Sequence, residues 1–332
     1  MSRRQRPPAS LSLDLDNAWS YLKTRGDDAW RSWPSYLDVV VPLALDLLAG
    51  LDLRITFFVV GRDAAEPADG AALRAIVAAG HEVGNHSFLH EPWLHRYDDE
   101  RLEDELDRAE AAIEAAVGVR PTGFRGPGYS VSEPLLRSLA RRGYAYDAST
   151  LPTFVGPVAR AYYFRTARLT DEQKAERSAL FGAAADGLRP VAPYRWDLPE
   201  GRLLEIPVTT FPGARVPMHL SYVLYLERVG RRAATAYFSA ALAACRAAGV
   251  GPSILLHPLD LVGADDLGEA GGGLRFFPGM DLPGERKRDL VRACLATMAE
   301  RFEVLTLGGH AARLAGADLP VVAPRFRQTA GR

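Results

Sequence analysis

Short apolar runs alternate along this chain with longer stretches of helical period. Leu11 to Leu15 reads as a buried strand and Leu37 to Ala49 as a helix. Leu53 to Val60 is rich in β-branched and aromatic residues, which predicts a strand ending at Gly61. Ala71 to Ala79 reads as a helix stopped by Gly80, and His81 to Gly84 as the next strand. Asp98 to Val117 places Leu102, Leu106, Ala109 and Ile113 on one face and acidic residues early, as the helix dipole favours. Thr122 to Arg125, Tyr144 to Asp147, Leu203 to Val208, Ser253 to His257 and Phe302 to Leu307 complete the strands. Glu133 to Arg142, Arg231 to Ala248 and Glu285 to Glu300 supply further helices. About seven βα units in one chain imply the α/β class, with a largely parallel sheet closed into a barrel.

Three segments break the alternation: 17–36 with Trp19, Trp30 and Trp33; 152–196 with Tyr162, Tyr163 and Phe164; and the glycine-rich 263–284. Within the second, a helix is expected near Thr170 to Leu180. All three follow strand C-termini, the face on which a parallel barrel builds its active site. With 332 residues, 48% hydrophobic and 24% charged, the chain is expected to be a single catalytic domain over 1–332. A net charge of -1 argues against a nucleic-acid partner. Cys245 and Cys294 lie in Ala/Leu-rich helical stretches and read as reduced core residues. No signal-peptide core follows the basic N-terminus, and no apolar run reaches the ~18 residues of a membrane span. A cytoplasmic location is the expectation.

Candidate chemistry begins with His86 and His90. At i and i+4 they share one face of a helical turn, close enough to hold one metal ion, and imidazoles suit zinc, cobalt or nickel. Asp14 and Asp16 supply carboxylates on one side of the first strand, Leu15 going into packing: one can ligate the metal with the histidines and the other act as base. Arg125, in a Gly/Pro turn, can aim Asp14, and the turn frees backbone N–H groups at Gly128 or Tyr129 for a developing oxyanion. His257 ends a buried strand at the barrel mouth, where a proton donor would sit, with Asp147 or Asp260 to orient it and Asp147 favoured. His81, His95, His219 and His310 read as structural. Trp19, Trp30, Trp33, Tyr162 and Tyr163 read either as stacking walls of the site or as packing against the barrel or a second copy in a homo-oligomer.

The ordered set Asp14-x-Asp16, His86-x3-His90, Arg125-Gly126-Pro127, Tyr146-Asp147 and Leu256-His257 resembles the polysaccharide deacetylase (NodB-homology) family. Thr56 to Gly61, Gly80 to His86 and Glu205-Ile206-Pro207 are similar to further family segments, so the resemblance spans about residues 11 to 307. It implies a distorted (β/α)7 barrel related to the TIM barrel and a metal-dependent deacylase. Asp16, His86 and His90 would bind a divalent metal, zinc or alternatively cobalt, nickel or manganese. Asp14 would be the base, His257 the acid, Arg125 the support of Asp14, and Asp147 the residue tuning His257. Gly128, Tyr129 and Trp19 would contact substrate. Leu15 separates aspartates that are more often adjacent, and Gly128 stands where an aromatic is frequent. The implied reaction removes an acyl group, foremost N-acetyl, from an amino sugar or glycan precursor. Hydrolysis of a cyclic amide, as in allantoinase-like members, is the alternative, and an inactive glycan-binding protein a third.

Overall fold

The computed structural model describes residues 6–326 apart from 168, 178, 179, 181–183, 269, 270, 272 and 278, and omits the side chains of 162, 166, 176 and 184. Its strands are β1 (Pro8–Leu15), β2 (Thr56–Val59), β3 (Glu82–Asn85), β4 (Gly123–Phe124), β5 (Tyr146–Asp147), β6 (Tyr194–Leu198), β7 (Gly201–Glu205), β8 (Ser253–Leu256), β9 (Glu303–Leu305) and β10 (Val321–Val322). They form one sheet in the order β10-β6-β7-β5-β4-β3-β2-β1-β8, with β9 also on β1. Every pairing is parallel except β6 with β7. Beyond β7, the Thr209 amide donates to the Ser253 carbonyl at 2.9 Å and the Ser253 amide to Thr209 Oγ1 at 2.8 Å. The sheet thus curls until the segment after β7 meets β8 without a continuous ladder, β6 and β10 extending beyond the closure, in keeping with the distorted barrel expected.

β1 is a central strand buried on both faces. Leu11, Leu13 and Leu15 enter the main core beneath the helices, while Ser10, Ser12, Asp14 and Asp16 alternate to the other side. Burying each leucine side chain contributes about 1.5–3 kcal/mol, so a one-residue slip that exchanged the faces would be strongly opposed. The helix Asp99–Val117 begins where Asp98 accepts from the Arg101 amide at 2.9 Å and ends at Gly118, whose φ of 74° suits a left-handed cap. The apolar stripe read from the sequence is buried, and the carboxylate of Glu105 is buried with it.

Two strands were not foreseen. β6 begins at the end of what reads as the 152–196 insertion and runs past it, pairing Leu198 with Gly201 across a two-residue turn, Pro199-Glu200. β10 then adds to its outer edge. The first insertion is also more ordered than a loop: it holds the helix Ala18–Arg25 and a 3₁₀ turn at Asp28–Arg31. Within 152–196, helices form at Gly156–Thr166 and Asp171–Glu176. Cys245 and Cys294 are free and buried, as expected of core residues. Among the described residues no helix is long and apolar enough to cross a membrane.

A candidate metal centre at the barrel mouth

At the C-terminal end of β1 the Asp16 amide donates back to the Asp14 carbonyl at 2.8 Å, a tight turn that still presents both carboxylates to one place. His86 Nε2 lies 3.2 Å from Asp16 Oδ1 and 4.0 Å from Asp14 Oδ2, and His90 Nε2 lies 2.9 Å from Asp16 Oδ1. The ligating atoms of Asp16, His86 and His90 all fall within 4.8 Å of one another, and all three residues are buried. Arg125 Nη1 approaches Asp14 Oδ1 at 3.2 Å, aiming it beside the cluster.

The two histidines converge by a route other than the helical turn their spacing suggests. Residues 86–90 form a bend in which Ser87 and His90 take left-handed φ values of 62° and 50°. For non-glycine residues each such conformation costs on the order of 1–3 kcal/mol and persists only when its surroundings over-determine it. Here Glu105 Oε1 accepts from the Phe88 and Leu89 amides at 2.9 and 2.6 Å, Ser87 Oγ accepts from the His90 amide at 3.1 Å, and Lys23 Nζ donates to the Leu89 carbonyl at 3.0 Å. The rings meet with centroids 5.0 Å apart. Glu105 was missed from the sequence, although a carboxylate on the apolar stripe of a helix is the signal that marks it.

The donor set fits a cation. His86 Nδ1 sits 2.6 Å from the Arg125 carbonyl, which fixes the N–H there and leaves the Nε2 lone pair facing Asp16. Asp16 Oδ1 and both nitrogens of His90 are buried without a hydrogen-bond partner, despite the short approach of the two residues. Burial alone would raise the Asp16 carboxyl, but His90 and His86 hold it well below the usual carboxylate range. Two imidazoles and one carboxylate converging on one point leave positions open for water or substrate, the pattern of a catalytic rather than a structural site.

His257 lines the same cavity, of about 2070 Å³, as Asp14, Asp16, His86 and His90. Its Nδ1 lies 2.9 Å from Ser221 Oγ, which donates to Asp260 Oδ2 at 3.0 Å. Asp147, favoured from the sequence as the partner of His257, instead meets Ser149, whose Oγ accepts from the Gly126 amide at 2.8 Å. Asp147 is fully buried, and burial followed by the adjacent Glu205 pushes its carboxyl well above the ordinary range. It therefore braces the turn after Arg125. Tertiary packing decides between two aspartates that spacing alone leaves equivalent.

Trp19 does not line the cavity. It is 3% exposed, its Nε1 donates to Asp63 Oδ1 at 2.7 Å, and its ring stands edge-on to His90 at 6.4 Å. It buttresses His90 rather than offering a stacking face. Trp30 and Trp33 are also absent from the lining, whereas Tyr163 is part of it together with Tyr21, Tyr222, Phe276 and Phe277. The Tyr162 side chain lies outside the described residues. Gly128 and Tyr129 do line the cavity, but the Tyr129 amide is committed to the Gly126 carbonyl at 3.0 Å. Of the other histidines, His81 accepts from the Ile55 amide at 3.1 Å and His310 pairs with Ser10 at 3.0 Å, both packing roles as expected. His95 and His219 line the cavity.

Asp63 gives a pH signature. Burial pushes its carboxyl up to about 7, against the hydrogen bonds from Trp19 and Asn17 that lower it, and its Oδ2 has no partner. The folded state then holds a proton that the unfolded chain, with a pKa near 3.8, has released. Stability falls as pH rises between those two values, by at most about 1.4 kcal/mol per unit, and levels off above the higher one. Asp63→Asn keeps the accepting oxygen and removes the titration. Calorimetric Tm should fall more steeply between about pH 4 and about pH 7 in the parent than in the variant; equal slopes would contradict the assignment.

Residues 27–146 match the model of the polysaccharide deacetylase family. The match takes in His86, His90 and Arg125, but not Asp14, Asp16 or His257. A peptidoglycan deacetylase-like protein of Gibberella zeae is 31% identical over 115 residues, 34% of this chain and 32% of the relative. The peptidoglycan deacetylase of Helicobacter pylori is 30% identical over 128 residues, 39% of this chain and 41% of that protein. The aligned region thus spans well under half of either relative. A polysaccharide-deacetylase-like structure from Mycobacterium smegmatis superposes with a TM-score of 0.64 at 21% identity, covering 98% of this chain and 96% of the other. An allantoinase follows the same fold with a TM-score of 0.58 at 15% identity, covering 96% and 93%. The family resemblance and the fold class read from the motifs are both upheld.

Proposed function

We propose that this chain is a metal-dependent hydrolase that removes an acyl group, foremost N-acetyl, from an amino sugar or glycan precursor. The observation that carries this reading is the convergence of Asp16, His86 and His90 beside an arginine-held Asp14, with His257 on the wall of the same cavity. The deacetylase names of the relatives support the choice of bond.

Asp16, His86 and His90 would hold the ion, for which zinc suits the two imidazoles best, with cobalt, nickel or manganese as alternatives. When bound, such an ion polarises a carbonyl oxygen and makes a neighbouring water more acidic. Asp14, aimed by Arg125, accepts the proton of the attacking water. His257 gives a proton to the leaving nitrogen, which is too poor a leaving group without it. The cavity exceeds the ~300–1,000 Å³ of sites for drug-sized ligands, which supports a substrate larger than one sugar ring. Tyr21, Tyr163, Tyr222, Phe276 and Phe277 offer its apolar faces a wall.

A screen of N-acetylated amino sugars, free and nucleotide-linked, run beside allantoin and related cyclic amides, tests the reading. Acetate release from the sugars is the expected result. Ring opening of a cyclic amide without acetate release from any sugar would overturn it in favour of the allantoinase-like alternative.

A further inference from the structure

We propose that Ser221 is a positioning residue that links His257 to the buried Asp260 through its hydroxyl, fixing the imidazole tautomer and aiming Nε2 at the cavity. This rests on His257 being the proton donor of the reaction proposed above. Ser221 Oγ lies 2.9 Å from His257 Nδ1 and 3.0 Å from Asp260 Oδ2, whereas Nδ1 is 3.9 Å from that oxygen, too far for a direct hydrogen bond. The serine hydroxyl has one proton, and as donor to Asp260 it leaves its lone pairs for Nδ1–H. Neutral His257 is therefore the Nδ1–H tautomer, and the proton gained on becoming imidazolium sits on Nε2, the atom left to give it away.

The surroundings hold this geometry from two elements. Asp260 Oδ2 also accepts from the His257 amide at 2.8 Å, tying the carboxylate to the residue it serves. Lys287 Nζ donates to the Leu259 and Val262 carbonyls at 2.8 Å each, pinning the turn on both sides of Asp260. Ser221 comes from the first turn of the separate helix Leu220–Leu226, so the hydroxyl is placed independently of that turn. The titratable groups around the pair include His219, with its ring centroid 6.3 Å from that of His257 and held neutral by burial, and, around Asp260, Lys287, Tyr21, Tyr36 and Tyr129.

Ser221→Ala and Ser221→Thr test the link on two substrates: an N-acetylated sugar, and an activated aryl acetate whose leaving group needs no proton. Ser221→Ala should lower kcat on the amide by about 10- to 100-fold with KM nearly unchanged and shift its pH profile, leave the aryl ester rate near the parent's, and be largely rescued by threonine. Imidazole ¹⁵N NMR should show Nδ1–H in neutral parent His257 and a tautomer mixture in Ser221→Ala. An unchanged amide rate with an unchanged tautomer would overturn the proposal. So would an equal loss on both substrates without rescue by threonine, which marks a merely structural role. If the parent released no acetate while the NMR change appeared, the hydrolase reading would fail and the link to Asp260 would stand.

Discussion

Asp16→Ala is expected to cost the protein both its metal and its turnover. Asp16 Oδ1 is reached by both histidines, at 2.9 and 3.2 Å, so its loss removes a proposed ligand and the charge that draws the two rings together. Two neutral imidazoles remain, a set that binds a divalent ion far more weakly than the three-ligand site of a catalytic zinc. Lewis-acid assistance is worth several kcal/mol, and about 4 kcal/mol corresponds to about 10³-fold in rate. Metal content after gel filtration should fall to near zero, and acetate release by that order. The fold should persist, because Leu11, Leu13 and Leu15 carry the packing of β1 and Asp16 lies beyond its end. A variant that kept both metal and rate would show that the cluster is an ion pair and not a metal centre.

His257→Ala is expected to separate the two properties. His257 touches Ser221 and Asp260 rather than the Asp16 cluster, so metal content should match the parent. Turnover on an amide should fall by about 10²–10⁴-fold, the usual contribution of a general acid. An aryl ester should be affected much less, since its leaving group departs without a proton. A parent-like rate on the amide would remove His257 from the mechanism.

How much of this was legible in the sequence depends on whether each feature is local. The alternation of Leu11, Leu13 and Leu15 marks β1 as a buried strand and sends Asp14 and Asp16 to its other side, and the structure keeps both statements. The His86/His90 spacing finds a convergent pair for a reason that does not hold. The rings meet through left-handed residues held by Glu105, a contact across 16 or 17 positions that no helical rule supplies. Trp19 shows the complementary failure: an aromatic in a long loop serves equally well as stacking wall or as buttress, and the partner that decides, Asp63, lies 44 residues away. The choice between Asp147 and Asp260 likewise depended on Ser149, Glu205 and Ser221, three side chains brought in from elsewhere. β6 is not legible because only its first three residues fall at the end of the 152–196 insertion, and its pairing depends on the turn into β7 rather than on an apolar run of its own.

The most direct test of the central claim is acetate release from N-acetylated amino sugars by the protein as purified, after stripping with a chelator, and after restoring zinc or cobalt. Release that disappears on stripping and returns with the metal is the predicted result. Release indifferent to stripping, or none from any sugar while metal is bound at Asp16, His86 and His90, would contradict it.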